Sequence, residues 1–174
     1  LCAVGRKRAG CGDEQQVIYG EFATGVVPGA EEPGGVYRAV ERAGKEGADY
    51  RLGSDPESDR VGVMVKNGKG EYVTITGNQT GVLLLDYLIG AKNRTGKMPD
   101  KPVALKTIVT TEMARKVAEV NGLACYDTFT GFKFLAEKKY KLENAGEGTV
   151  IFAYEESCGY MLGDSDRAKD AVAA

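Results

Sequence analysis

The sequence predicts an α/β protein built from two small three-layer α/β/α units whose sheets are mixed and mainly parallel. The length of 174 residues is enough for two small hydrophobic cores. Strand and helix patterns alternate between residues 103 and 154, which is typical of a parallel sheet covered by helices. In the first half of the chain, shorter strand patterns are separated by an acidic turn and by an Asn-Gly pair.

The first half of the chain carries short elements joined by polar turns. Residues 16–19 form a strand candidate, and residues 36–43 place their apolar side chains on one helical face. Residues 48–53 follow as a strand that ends in the acidic turn. Residues 61–65 and 72–75 are predicted to form a hairpin, because the Asn-Gly pair between them supplies the positive φ angles of a tight turn.

The second half begins with a capping-box pattern. Thr76, with Gln79 three positions later, predicts the start of a helix that runs to about Ala91. The alternating elements that follow are a strand at 103–109, a helix at 112–120, a strand at 124–126, a helix at 131–140, a strand at 149–154 and the start of a helix at 171–174.

Composition excludes several classes of function. Charged residues make up 28% of the chain and the formal net charge is −2, so we expect no nucleic-acid partner. The apolar run at residues 82–85 is far shorter than the roughly 20 residues of a membrane span. The N-terminal residues lack the apolar core of a signal peptide. We therefore expect a soluble, cytoplasmic protein that does not contact a membrane.

Two residue types limit the chemistry further. The chain has no histidine, which removes Ser-His-Asp and Cys-His catalysis and histidine general bases. Its four cysteines are scattered without a C-x-x-C pair, so neither a zinc site nor a disulfide framework is predicted. Chemistry within this chain must depend on carboxylates, lysine, arginine, serine or a hard metal ion.

An acidic turn after the strand at 48–53 is the strongest local signal. Asp55, Glu57 and Asp59 alternate there, and carboxylates at this spacing can converge on one cation such as Mg²⁺. A solvated acidic turn is the alternative. An EF-hand calcium loop fits poorly, because Arg60 stands where glycine is needed and Lys66 where the bidentate glutamate belongs. Arg60 could make forked contacts with a phosphoryl group or simply balance its acidic neighbours.

Two further groups of residues are candidates for a binding site. Thr130 and Gly131 lie at a strand-to-helix junction, where helix N–H groups can meet an oxygen-rich ligand or the threonine can cap the helix. Glu155 and Ser157 follow the last predicted strand, at the sheet edge where open α/β proteins bind ligands. Such strings are also common surface turns, and Lys169 has no distinctive local pattern.

The order of five motifs resembles that of the phosphohexomutases, the phosphoglucomutase/phosphomannomutase family. These motifs are the acidic turn ending in arginine at 55–60, G-N-Q-x-G at 77–81, T-G-F-K at 130–133, E-E-S-x-G at 155–159 and R-x-K-D at 167–170. The resemblance covers nearly the whole chain. Members have four domains, so it implies a partial second domain over residues 1–71 and a third domain, cut short at its C-terminal end, over residues 72–174.

The resemblance also implies a role for each candidate residue. It implies catalytic residues at Arg60, near the phosphoserine, and Lys169, in proton transfer or phosphoryl stabilisation. It implies substrate binding at Thr130, Gly131, Glu155 and Ser157, and Mg²⁺ ligation at Asp55, Glu57 and Asp59. The family usually has aspartate where Glu57 stands, and the loop at 23–32 also departs from the family pattern.

The implied activity is the interconversion of hexose 1-phosphate and hexose 6-phosphate through a phosphoserine enzyme and a bisphosphate intermediate. The serine segment of the first domain and the phosphate-binding fourth domain have no counterpart here, so we expect the chain to need the remaining domains for activity. One alternative is a non-catalytic module that binds a sugar phosphate or a metal. A phosphatase with Asp55 as nucleophile fits less well, because the D-x-D-x-T pattern is missing.

Overall fold

The computed structural model describes residues 44–45, 47–55, 57–163, 166–171 and 173–174. The strand predicted at 16–19 and the helix predicted at 36–43 lie outside the described residues. In chain order the described elements are β1 (Tyr50–Ser54), β2 (Val61–Lys66), β3 (Tyr72–Ile75), α1 (Gly77–Thr95), β4 (Pro102–Thr107), α2 (Met113–Val120), β5 (Ala124–Thr128), α3 (Phe132–Asn144), β6 (Thr149–Tyr154) and β7 (Tyr160–Leu162).

The first sheet is an antiparallel meander in the order β1-β2-β3. Its second turn is the predicted hairpin. The Asn67 side-chain oxygen accepts hydrogen bonds from the backbone N–H groups of Lys69 and Glu71, at 2.9 and 3.0 Å. The predicted source of the positive φ is wrong, because Gly70, and not the Asn67-Gly68 pair, takes it, with a φ of 85°. The described strands of this unit are therefore all antiparallel, unlike the mainly parallel sheet that was predicted. Mainly parallel strands occur in the second sheet.

The second sheet has the order β5-β4-β6-β7, with β5, β4 and β6 parallel and β7 antiparallel to β6. Apolar residues of α1 and α2 pack on one face of it, in a cluster that includes Leu85, Ala118 and Phe152. Residues of α3 pack on the other face, where Leu135 and Leu142 meet Val103 and its neighbours. The second unit is thus a three-layer α/β/α structure, and the mixed α/β fold class is confirmed.

The G-N-Q-x-G motif at 77–81 fixes the start of α1 against the second sheet. Thr76 and Gln79 form the predicted capping box, with each side chain bonded to the other's backbone N–H. A β-carbon at Gly77 would overlap the backbone carbonyl of Glu156, and one at Gly81 would overlap the ring of Tyr154. Both glycines are therefore required by the close approach of the helix to β6 and the turn beyond it.

The two sheets are joined at a short backbone contact that we call the junction, formed by residues 60–61 and 158–159. Arg60 and Gly159 form an antiparallel bridge, and the N–H of Val61 donates to the carbonyl of Cys158 at 3.2 Å. Cys158, just before Gly159, holds a left-handed φ of 65°, as does Ser58 near Arg60 with a φ of 57°. The junction thus sets the acidic turn beside the turn that follows β6.

Most elements of the second half begin and end within a few residues of their predicted bounds, and β6 has the predicted bounds. Strand β7 was missed, because three residues are too few to display a period-2 pattern. The helix expected at 171–174 is wrong for the described residues there, which lie in turns or irregular backbone. The boundary after residue 71 stays a prediction, although β3 pairs with β2 in the first sheet. No helix among the described residues could cross a bilayer.

Two glycines in α1 offer a matched test of this packing. Gly81→Ala should lower the free energy of unfolding by about 1–3 kcal/mol, because the added methyl group meets the Tyr154 ring. Gly90→Ala should be neutral or raise it by up to about 1 kcal/mol, because its methyl group meets only the movable end of Arg94. Urea unfolding of both variants measures the difference; equal effects would contradict the packing of α1 on β6.

Candidate active site

Three separate segments meet at the junction and form the candidate site. The acidic turn at 55–60 lies beside the E-E-S turn at 155–159, and the segment at 169–171 closes over both. The N–H of Asp170 donates to the carbonyl of Tyr160 at 3.0 Å, and the N–H of Ala171 donates to the carbonyl of Ser58 at 3.2 Å. Backbone hydrogen bonds therefore hold all three segments together, independently of their side chains.

Asp55 organises the acidic turn from within. Its carboxylate is buried; one oxygen accepts from the backbone N–H groups of Asp59 and Arg60 at 3.1 and 3.2 Å, and the other accepts from Arg60 Nε at 2.8 Å. Burial acts to raise the pKa of Asp55, but the hydrogen bonds from Arg60 and Asp59 outweigh it and hold the pKa below its ordinary value. Asp55 is thus an ionised carboxylate that shapes the turn.

Lys169 links the acidic turn to the E-E-S turn. Its Nζ lies 3.2 Å from Asp59 Oδ2 and 3.3 Å from Glu155 Oε1. Gly159 leaves room for this contact, since a β-carbon there would lie 2.6 Å from Glu155 Oε1 and 2.9 Å from Lys169 Cδ. The lysine that had no distinctive local pattern in the sequence is therefore the central cation of the site.

In this conformation the three carboxylates of the acidic turn do not converge on one point, and their role as cation ligands stays a prediction. Across the described residues, no group of three or more His, Cys, Asp or Glu side chains is placed to hold a metal ion. Asp55 pairs with Arg60, Asp59 pairs with Lys169, and Glu57 is exposed. The oxygen donors nevertheless fit the chemistry of Mg²⁺, and the Lys169 ammonium stands among them as a positive charge.

The remaining predicted residues lie at the same edge of the second sheet. Ser157 is half-buried in the E-E-S turn beside Glu155. Thr130 and Gly131 follow β5, two strands away from β6 and hence about 10 Å across the sheet. The capping residue of α3 is Gly131, with a φ of 119°, and no side chain caps that helix. Thr130 is exposed, and its side chain does not cap α3.

A buried lysine in β4 was missed by sequence analysis. Lys106 is fully buried, and its Nζ lies 2.7 Å from Glu112 Oε1 and 3.0 Å from Asp127 Oδ1. Arg115 contacts the same two carboxylates and closes a four-residue ring of alternating charge. Burial acts to lower the pKa of Lys106, but hydrogen bonds to the two carboxylates outweigh it and raise the pKa. The sequence feature that could have revealed this buried lysine is a single charged residue within the apolar strand pattern V-A-L-K-T.

Glu156 is a second residue that sequence analysis did not single out. Its Oε2 accepts hydrogen bonds from the hydroxyls of Thr107 and Thr110, at 2.9 and 3.3 Å. The turn after β4 is also tied to the start of α1, because Asn78 Oδ1 accepts from the N–H of Thr111 at 2.9 Å. Glu156 thus anchors the E-E-S turn to the neighbouring strand and leaves Glu155 to face Lys169.

Comparison with known proteins assigns the chain to a family. Residues 76–174, more than half of the chain, match the family model described as phosphoglucomutase/phosphomannomutase, alpha/beta/alpha domain III. The three-layer unit built around β4–β7 falls within this range, together with α1. The chain therefore belongs to the phosphoglucomutase/phosphomannomutase family, and the predicted membership is confirmed.

Relatives that carry phosphomutase names agree with this assignment. The chain is 35% identical over 182 residues to the phosphoribomutase of Saccharomyces cerevisiae, a match that covers 100% of the chain and 28% of that protein. It is 35% identical over 135 residues to the phosphoglucomutase of Staphylococcus aureus, covering 78% of the chain and 23% of that protein. The chain thus spans about a quarter of the length of these relatives.

Two solved structures share the fold. The phosphoglucomutase parafusin from Paramecium matches with a TM-score of 0.57 and 21% identity, over 87% of this chain and 24% of that one. The Aspergillus fumigatus N-acetylphosphoglucosamine mutase, solved with GlcNAc-6P and magnesium, matches with a TM-score of 0.52 and 13% identity, over 72% of this chain and 27% of that one. Both similarities concern the fold.

The ring around Lys106 can be tested by removing its buried charge. Lys106→Met should lower the free energy of unfolding by about 1–3 kcal/mol, because the buried carbonyl of Thr110 loses its donor and Asp127 keeps only Arg115. Lys141→Met, which removes an exposed lysine paired with Glu137, should change it by less than about 0.5 kcal/mol. Urea unfolding distinguishes the two, and equal small effects would mean that the ring adds nothing to stability.

Proposed function

We propose that the protein containing this chain is a phosphohexomutase, an isomerase that interconverts hexose 1-phosphate and hexose 6-phosphate. The observation that supports this most is the meeting of the acidic turn, the E-E-S turn and Lys169 at one junction of a family domain. In this proposal a phosphoserine supplied by another domain gives its phosphoryl group to the sugar, and the resulting bisphosphate returns its other phosphoryl group to the serine.

In this proposal the cationic residues stabilise the phosphoryl group, and the acidic and hydroxyl residues bind the sugar. Arg60 presents a guanidinium beside the acidic turn and is suited to stabilise negative charge on a phosphoryl group. Glu155 and Ser157 can accept and donate hydrogen bonds to sugar hydroxyls and so orient the substrate. Thr130 and Gly131 would contact the same ligand from the end of β5. Lys169, between Asp59 and Glu155, would stabilise the transferring group or move a proton.

We also propose Mg²⁺ as the cofactor. Asp55, Glu57 and Asp59 would hold it, since hard carboxylate oxygens are the ligands that this ion prefers. When bound, the ion would supply electrostatic stabilisation of the transferring phosphoryl group. Support comes from the donor set of this turn and from the magnesium named in the Aspergillus complex. The Glu57 side chain is one methylene longer than the aspartate of the family pattern.

The remaining features of the function depend on the rest of the polypeptide. Because the chain spans about a quarter of its relatives, the serine and the binding site for the second phosphate are proposed to lie in the other domains. A cytoplasmic location is proposed from the composition. The names of the relatives include both glucose and ribose mutases, so the proposed substrate class is a sugar monophosphate, with hexose phosphate first.

The activity of the full-length protein tests this proposal. Asp59→Asn should lower kcat/KM for conversion of glucose 1-phosphate by a factor of about 100 or more, because the site loses a charged oxygen donor. Asp86→Asn, which removes an exposed carboxylate from α1, should leave kcat/KM within about twofold. Ribose 1-phosphate should be assayed in parallel. Undiminished turnover in the Asp59 variant would rule out the assignment of the acidic turn.

A further inference from the structure

We propose that Glu156, together with the hydroxyls of Thr107 and Thr110, is a positioning group that sets the affinity of the site for the sugar. These three side chains do not touch the sugar themselves. They hold the E-E-S turn in the one placement that presents its sugar-binding groups. This role rests on the proposed function, because it is exerted through Glu155 and Ser157, the proposed sugar contacts.

Two buried hydroxyls meet the Glu156 side chain. Thr107 and Thr110 are 0% and 3% exposed, and their Oγ1 atoms lie 2.6 Å apart. Glu156 Oε2 lies 2.9 Å from the first of these atoms and 3.3 Å from the second. Buried hydroxyls need hydrogen-bond partners, and a bond to a carboxylate is stronger than a bond to a neutral group. This contact therefore links the turn after β4 firmly to the E-E-S turn.

The turn after β4 is the fixed side of this link. The N–H of Thr110 donates to the carbonyl of Thr107 at 3.0 Å and closes the turn. The buried Nζ of Lys106 donates to the carbonyls of the same two residues, at 3.4 Å for Thr107 and 3.1 Å for Thr110. Lys106 is itself held in the ring of alternating charge. The hydroxyls that meet Glu156 are therefore held in place independently of the E-E-S turn.

The E-E-S turn is the side of the link that needs support. It follows the end of β6, and Cys158 within it holds a left-handed φ of 65°, which residues other than glycine rarely adopt. The N–H of Glu155 donates to the carbonyl of Gly159 at 3.0 Å and closes the turn. Glu155 contacts Lys169 whereas Glu156 contacts the two threonines, so the adjacent side chains leave the turn in different directions. The Glu156 contact can therefore fix the turn without occupying the place of Glu155.

Backbone contacts would keep the E-E-S turn in place, but less firmly, without the Glu156 side chain. A β-carbon at Gly77 would overlap the carbonyl of Glu156, so the turn lies directly on the start of α1. The junction also holds its far end. Loss of the Glu156 contact should therefore loosen the turn without unfolding the sheet. A looser turn must be ordered when the sugar binds, and this cost weakens sugar binding.

Steady-state kinetics of the full-length protein with glucose 1-phosphate test this role. Glu156→Met removes the acceptor and keeps a side chain of similar length, so KM should rise about tenfold. Glu156→Gln keeps an oxygen acceptor, and its KM should stay within about threefold of the original value. Glu119→Met, which removes an exposed carboxylate from α2, should leave KM within about twofold. Loss of folded protein would lower kcat and leave KM unchanged. An unchanged KM in Glu156→Met, with or without a lower kcat, overturns the proposal.

A double-variant cycle tests the link from its other end. Thr107→Val removes one hydroxyl, and KM should rise about fivefold. Because Glu156→Met already removes the acceptor, adding Thr107→Val to it should raise KM by no more than about twofold. Multiplied effects would mean that the two residues act independently and would overturn the proposal. If Thr107→Val does not fold, the two Glu156 variants decide the outcome.

The result also separates this role from the proposed function. A full-length protein that turns over neither glucose 1-phosphate nor ribose 1-phosphate overturns the proposed function and the role of Glu156 together. An active protein whose KM is insensitive to Glu156→Met overturns the role of Glu156 alone.

Discussion

The backbone junction between residues 60–61 and 158–159 is the constraint on which the rest of the site depends. The bridge from Arg60 to Gly159 and the hydrogen bond from Val61 to Cys158 join two sheets that otherwise belong to separate units. Backbone hydrogen bonds at such a position leave little freedom in register, because each sheet holds its own strand in place. The side chains of the acidic turn and the E-E-S turn are therefore brought within contact distance by the fold.

Charge balance is the second organising feature of this region. Three carboxylates of this region are each contacted by a cation, with Arg60 on Asp55 and Lys169 between Asp59 and Glu155. The ring around Lys106 repeats this arrangement at the end of β4, with two carboxylates and two cations.

Local patterns in the sequence predicted much of the fold and the identity of most site residues. The capping box gave the start of α1, and the apolar run at 149–154 gave β6, because both signals are contained in a few adjacent residues. Such local patterns do not predict which distant segments of the chain contact each other. Lys169 meets Asp59 and Glu155 only because tertiary contacts carry it there, and Lys106 is charged and buried only because Glu112 and Asp127 lie on neighbouring elements.

The most direct measurement of the central claim, that the acidic turn and the E-E-S turn form one site, is paramagnetic relaxation in the NMR spectrum of the chain with bound Mn²⁺. The account predicts that the amide signals of Ser157 and Gly159 broaden together with those of Glu57 and Arg60, while signals at the C-terminal end of α3, at the opposite edge of the sheet, broaden least. Broadening confined to residues 55–60 would contradict the account, because the two turns would then lie apart.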